Sequence, residues 1–143
     1  MNKKAEAFKN YLDERKITCF TVDEIKDDAL NSVVFRSNIE ISGQQLPTIV
    51  VLDSSIYGMV RVLVAPRVLN DANEAVLLKE LNRLNKSYKS FKYYFDNSGS
   101  LVLDCCILFK AGEADGDLIY TMFDVIIRHL NDEYKKLMQL IWK

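Results

Sequence analysis

At 143 residues, 49% of them apolar and 27% charged, the chain is long enough to bury its own core and too apolar to be disordered. A formal net charge of −1 with scattered Lys and Arg gives no general attraction to phosphate, which argues against nucleic acid as a partner. The longest apolar runs, such as Ile49 to Leu52, are strand-length, and Glu6, Lys9 and Asn10 interrupt what would be the apolar part of a signal peptide, so neither a membrane span nor a leader is expected.

Residues 3–16 predict a helix, with Phe8 and Leu12 on its apolar stripe, Ala5 and Tyr11 beside them, and Lys4, Glu6, Lys9, Asp13 and Glu14 on its wet face. Residues 18–25 are ambiguous: Cys19 to Val22 could form a short edge strand, and Asp23 to Asn31 reads as a polar loop. Residues 32–42 alternate, with Val33, Phe35, Ile39 and Ile41 opposite Arg36, Asn38 and Glu40, the habit of an antiparallel strand with one wet face. The turn Ser42-Gly43-Gln44 leads into a strand over Leu46 to Leu52, with Pro47 placed near its start because it cannot donate to a ladder. A turn from Asp53 to Gly58 precedes a third strand, Met59 to Ala65.

The period then changes to that of a helix. Leu77, Leu81 and Leu84 recur at helical spacing over Asn73 to Asn85, with Asn70 or Asp71 as the expected cap. Next, Phe91, Tyr93 and Phe95 alternate, Asp96-Asn97-Ser98-Gly99 marks a hairpin turn, and Leu101, Leu103, Cys105, Ile107 and Phe109 share one face. A long final helix, Asp115 to Trp142, carries Ile119, Phe123, Ile126, Leu130, Leu137 and Ile141 in one stripe. With few Gly or Pro and no linker, residues 1–143 are expected to form one α+β domain. It would have two layers, an antiparallel five-stranded sheet packed with helices in the order α-β-β-β-α-β-β-α.

The second half carries a family resemblance. Leu81-Asn82-Arg83-Leu84-Asn85 looks like a helix-ending L-N-x-x-N pattern, and the hairpin Phe91 to Phe109 around Asn97-Ser98-Gly99 is similar to an aromatic strand, turn and apolar strand. With the small-residue link Lys110-Ala111-Gly112-Glu113, these motifs resemble the YbjN family of the type III secretion chaperone-like fold group. The resemblance is firmest over about residues 70–142 and rests on element order before that. It implies a small cytoplasmic binding or chaperone-like protein, often a homodimer, and no catalytic residue.

The candidate chemistry points the same way. His129, the only histidine, would have to serve any Cys-His pair, but it falls on the flank of the last helix beside Arg128, whose charge opposes its protonation. Cys19, Cys105 and Cys106 read as reduced thiols, with no C-x-x-C for zinc and no helix N-terminus to activate Cys105 or Cys106. Glu113, Asp115 and Asp117 suit the N-terminus of the last helix better than a cation site. No phosphate-binding glycine loop or nucleophile elbow is present, and neither cofactor nor metal is expected.

Asn82 and Asn85, three residues apart on one helix, are expected to lock it onto a neighbouring strand or loop. Finally, Tyr94, Val102, Cys106 and Leu108 point away from the core face, interleaved with Lys92, Asp104 and Lys110. That second face is too apolar to stay wet. Either a partner subunit or peptide covers it, or the first helix folds across it, and Lys92 is the natural cross-strand donor to Asp104. The expected function is a non-catalytic protein- or peptide-binding module, homodimeric, acting by strand addition or side-chain pockets. The alternative is a domain sensing a small molecule between helix and sheet.

Overall fold

The computed structural model describes residues 1–110 and 113–143. In chain order it runs through α1 (Lys3–Glu14), β1 (Thr21–Glu24), β2 (Val33–Ile41), β3 (Gln44–Leu52), β4 (Tyr57–Ala65), α2 (Glu74–Ser87), β5 (Phe91–Phe95), β6 (Leu101–Leu108) and α3 (Gly116–Ile141). The strands form one open antiparallel sheet in the order β1-β2-β3-β4-β6-β5. The fold is thus α+β as expected, but with six strands rather than five. The extra strand, β1, pairs along β2 from Thr21↔Arg36 to Glu24↔Val33. It has a neighbour on one side only and three of its four residues are exposed, so it never acquires the alternation that marks a half-buried strand.

Local chemistry sets each helix. Asn2 caps α1, its Oδ1 accepting from the Ala5 N–H at 2.9 Å. Asn73, not Asn70 or Asp71, occupies the cap position of α2. Its side chain does not cap the helix but donates to the Val68 carbonyl (2.8 Å), while Asn70 Oδ1 accepts from the N–H groups of Ala72 and Asn73 in a tight turn. Asp115 caps α3 by accepting from the Leu118 N–H. In the β5–β6 turn, Asp96 Oδ1 accepts from Ser98 and Ser100, and Gly99 takes the left-handed conformation at φ +74° that the reversal needs. Pro47 lies inside β3 rather than at its start, but the ladder to β4 begins at Thr48, so its missing N–H falls where β3 is paired with β2 alone.

All three helices pack on one face of the sheet. Phe8 of α1 meets Phe35 of β2 edge-to-face at 4.9 Å, and Ala5, Phe8 and Leu12 join Leu77, Leu81 and Leu84 of α2 and the stripe of α3 in a single core. Close contact between α1 and α3 requires Gly116, where an added Cβ would lie 2.3 Å from the Tyr11 ring. The Tyr11 hydroxyl then donates to Asp117 at 2.9 Å. One residue expected on the wet face of α1 is not there: Lys4 is 2% exposed, and its Nζ donates to the carbonyls of Ser55 (2.7 Å) and Tyr57 (2.5 Å), pinning α1 to the β3–β4 turn. Among the described residues no helix is long and apolar enough to cross a membrane. Ala111 and Gly112, the small residues of the link before the last helix, lie outside the described residues.

Candidate binding face

The face of the sheet opposite the helices is built from alternate residues of every strand. One row across it reads Arg36, Ile49, Arg61, Asp104, Lys92, and the next reads Asp23, Val34, Val51, Met59, Cys106. Val102 pairs with Leu63 on one side and Tyr94 on the other, and Leu108 pairs with Tyr57. Val34 and Val102 are buried yet lie outside the helix-covered core. Cys106 is exposed, Leu108 is 65% exposed and Tyr57 51% exposed.

The four residues expected to share this face, Tyr94, Val102, Cys106 and Leu108, therefore do share it, and α1 does not cover them. Of the two covers the sequence left open, the first helix is excluded, because α1 lies on the other side of the sheet.

The charge inside the face is satisfied differently from expectation. Asp104 is 4% exposed and accepts a fork from Arg61, at 2.8 Å from Nε and 3.0 Å from Nη2, and a third hydrogen bond from the Tyr94 hydroxyl at 2.9 Å. Lys92 is opposite Asp104 in register but lies over the Tyr94 ring, 5.3 Å from its centre. The planar guanidinium offers two parallel donors where an ammonium offers one point charge, so Arg61 wins the carboxylate. Burial, and then the bond to Asp104, raises the Tyr94 phenol above its ordinary value.

Neither edge of the sheet offers a long open ladder. At the β5 edge, Asn85 of α2 donates from Nδ2 to the Tyr93 carbonyl (3.1 Å) and accepts from the Tyr93 N–H (2.8 Å), occupying both outward backbone groups at the centre of the strand. Asn82 does not join it; it is exposed and lines a groove between α2 and α3 with Val76, Lys79 and Leu140. At the other edge β1 is four residues long and carries Asp23 and Glu24, and short, charged edges resist pairing.

The thiols and the histidine are placed away from activation. Cys105 lies in the core, where burial pushes its thiol up to about 11, so it stays protonated at neutral pH. The thiol of Cys106 is also raised by burial, with Lys92 pulling it back. His129, expected on the flank of the last helix, is 5% exposed, its Nε2 2.6 Å from the Tyr93 hydroxyl and its pKa lowered by burial rather than by Arg128.

No protein-family model and no curated protein matches the chain. Its function is therefore read from its own surfaces. Besides the open face, these include a cleft of about 820 Å³ where the end of α3 leaves the sheet, lined by Leu46, Pro47, Leu63, Pro66, Met138 and Trp142 among others.

Proposed function

We propose that this chain is a non-catalytic protein-binding module and that the helix-free face of its sheet is the recognition surface. One observation carries this reading: Val34, Ile49, Val51, Met59, Val102 and Leu108 form an apolar face from which every described helix is absent. A face of that kind marks an interaction site. Because the two edges are blocked or blunted, recognition by side chains on the face is better supported than addition of a strand. The resemblance to chaperone-like cytoplasmic proteins agrees with a binding role.

Cys106, exposed at the end of one row, reports on the state of the face. In a Cys19→Ser background it should react with a maleimide at least about tenfold more slowly in intact cells than in dilute purified protein, as expected for a thiol inside a desolvated interface. Equal rates would overturn the reading.

The cleft at the end of α3 favours a second reading, a small-molecule regulatory site. Its volume lies in the range of ligand pockets, and Trp142, 74% exposed at its rim, supplies an intrinsic probe. A metabolite that shifts Trp142 fluorescence and loses that effect in Met138→Glu would support it. A library that leaves the fluorescence unchanged would count against it.

A further inference from the structure

We infer that the occupant of the open face is a second copy of this chain, docked face to face about a twofold axis that runs parallel to the strands between β3 and β4. This rests on the protein-binding reading above and names its partner.

Area and charge both favour a copy over an unrelated protein. Six strands spaced about 4.8 Å apart, each offering about seven residues of 3.3 Å, give a face of roughly 650 Å², close to the roughly 800 Å² that each partner of a stable complex contributes. The strand charges on this face balance: Arg36, Arg61 and Lys92 against Asp23, Glu40 and Asp104. A neutral face selects neither an acidic nor a basic partner, but it can complement itself if the signs are arranged to cross.

They are so arranged. A twofold axis between the two central strands exchanges β3 with β4, β2 with β6 and β1 with β5. Arg36 of β2 then faces Asp104 of the second copy, the carboxylate already held by Arg61 and Tyr94. Asp23 of β1, which accepts from Arg36 Nε of its own chain at 2.8 Å, comes diagonal to Lys92 of the second copy. In the apolar row Val51 faces the longer Met59 and Val34 faces the smaller Cys106. A twofold axis across the strands instead would set Arg36 on Arg36 and Lys92 on Lys92, and like charges directly opposed disfavour it. Sheets stacked this way pack about 10 Å apart with strands within about 30° of aligned, which keeps the paired columns in register near the axis.

The arrangement has a direct test. Within one chain Val34 and Cys106 sit three strand spacings apart, about 14 Å, beyond the roughly 7 Å that a disulfide can bridge. Across two sheets about 10 Å apart the facing sulfurs would lie about 5 Å from one another, so in a Cys19→Ser background Val34→Cys should give a covalent dimer with a bis-thiol reagent of about that span, and the further change Cys106→Ser should abolish it. By sedimentation the untreated protein should be a dimer of about twice 16.5 kDa. Met59→Glu and Leu108→Glu should raise the dissociation constant, the former at least about 100-fold because it buries an unpaired charge. Asp23→Lys and Lys92→Glu should each weaken the dimer by up to about fivefold, and their combination should recover it.

A cross-link through Cys106 alone, without Val34→Cys, would overturn the arrangement. A monomer at about 100 µM would overturn the second copy as partner. If Cys106 is nonetheless protected in cells, the protein-binding reading stands with a different partner, and if it is not, both fall.

Discussion

His129 shows how one buried residue makes stability depend on pH. Its ring is packed by Tyr88 at 4.3 Å, Phe91 at 4.5 Å and Tyr93 at 5.7 Å, and its Nδ1 has no hydrogen-bond partner among the described residues. Burial disfavours the charged ring, while Glu133, itself bonded by the Tyr88 hydroxyl, and Asp132 pull weakly the other way. The folded pKa is thus below the unfolded value of about 6.5. As pH falls through that value, the unfolded chain takes up a proton that the folded chain refuses, so stability is lost on acidification and retained above it. Urea melts between pH 7 and 5.5 should show stability falling by at most about 1.4 kcal/mol per pH unit. His129→Phe should flatten that slope, and an unchanged slope in the variant would show that the titrating group lies elsewhere. The position of His129 on α3 was legible in the sequence but its environment was not, because Tyr88, Phe91 and Tyr93 arrive from the far side of a turn that periodicity does not place.

At the scale of elements, α2 acts as a clasp on an edge strand. Asn85 presents one acceptor and one donor to the backbone of Tyr93, imitating the next strand of a ladder that is not there. Asn85→Ala would leave both Tyr93 backbone groups without that partner and should cost about 1–3 kcal/mol, measured by chemical denaturation. Asn82→Ala, on an exposed position, should change stability by less than about 0.5 kcal/mol. Equal effects at the two positions would reject the clasp. An amide pair on one helix turn was visible as a pattern, but which amide reaches the strand depends on how the helix is rotated, and Leu77, Leu81 and Leu84 set that rotation by turning into the core. Alternation placed β2 to β6 well because each has a dry face and a wetter one, and β1, with three of its four residues exposed, stayed ambiguous as a possible edge strand for the same reason.

At the scale of the whole molecule, the partner of Asp104 marks the limit of reading along the chain. Lys92 was the visible neighbour because its hairpin is local, whereas Arg61 reaches Asp104 only because β6 inserts between β4 and β5. That insertion makes the sheet two locally paired ribbons, β1 to β4 and β5 with β6, stitched by the single seam from Tyr57↔Leu108 to Ala65↔Leu101. Every other strand pair closes through a short connection. The seam must close a loop of about 35 residues, at an entropic cost of about 3 kcal/mol before its contacts form. It is therefore the step on which the rate of folding should turn. Leu103→Ala, at a fully buried seam position, should lose about 2–5 kcal/mol and lose it chiefly as slower refolding in a chevron analysis, whereas Val22→Ala at the β1 edge should act on the unfolding limb. A Leu103→Ala variant that refolds at the parent rate would place the barrier elsewhere. Until the seam closes, neither apolar side of the two ribbons has its full set of neighbours, so the slowest event in folding is also the moment at which the chain is most exposed to aggregation.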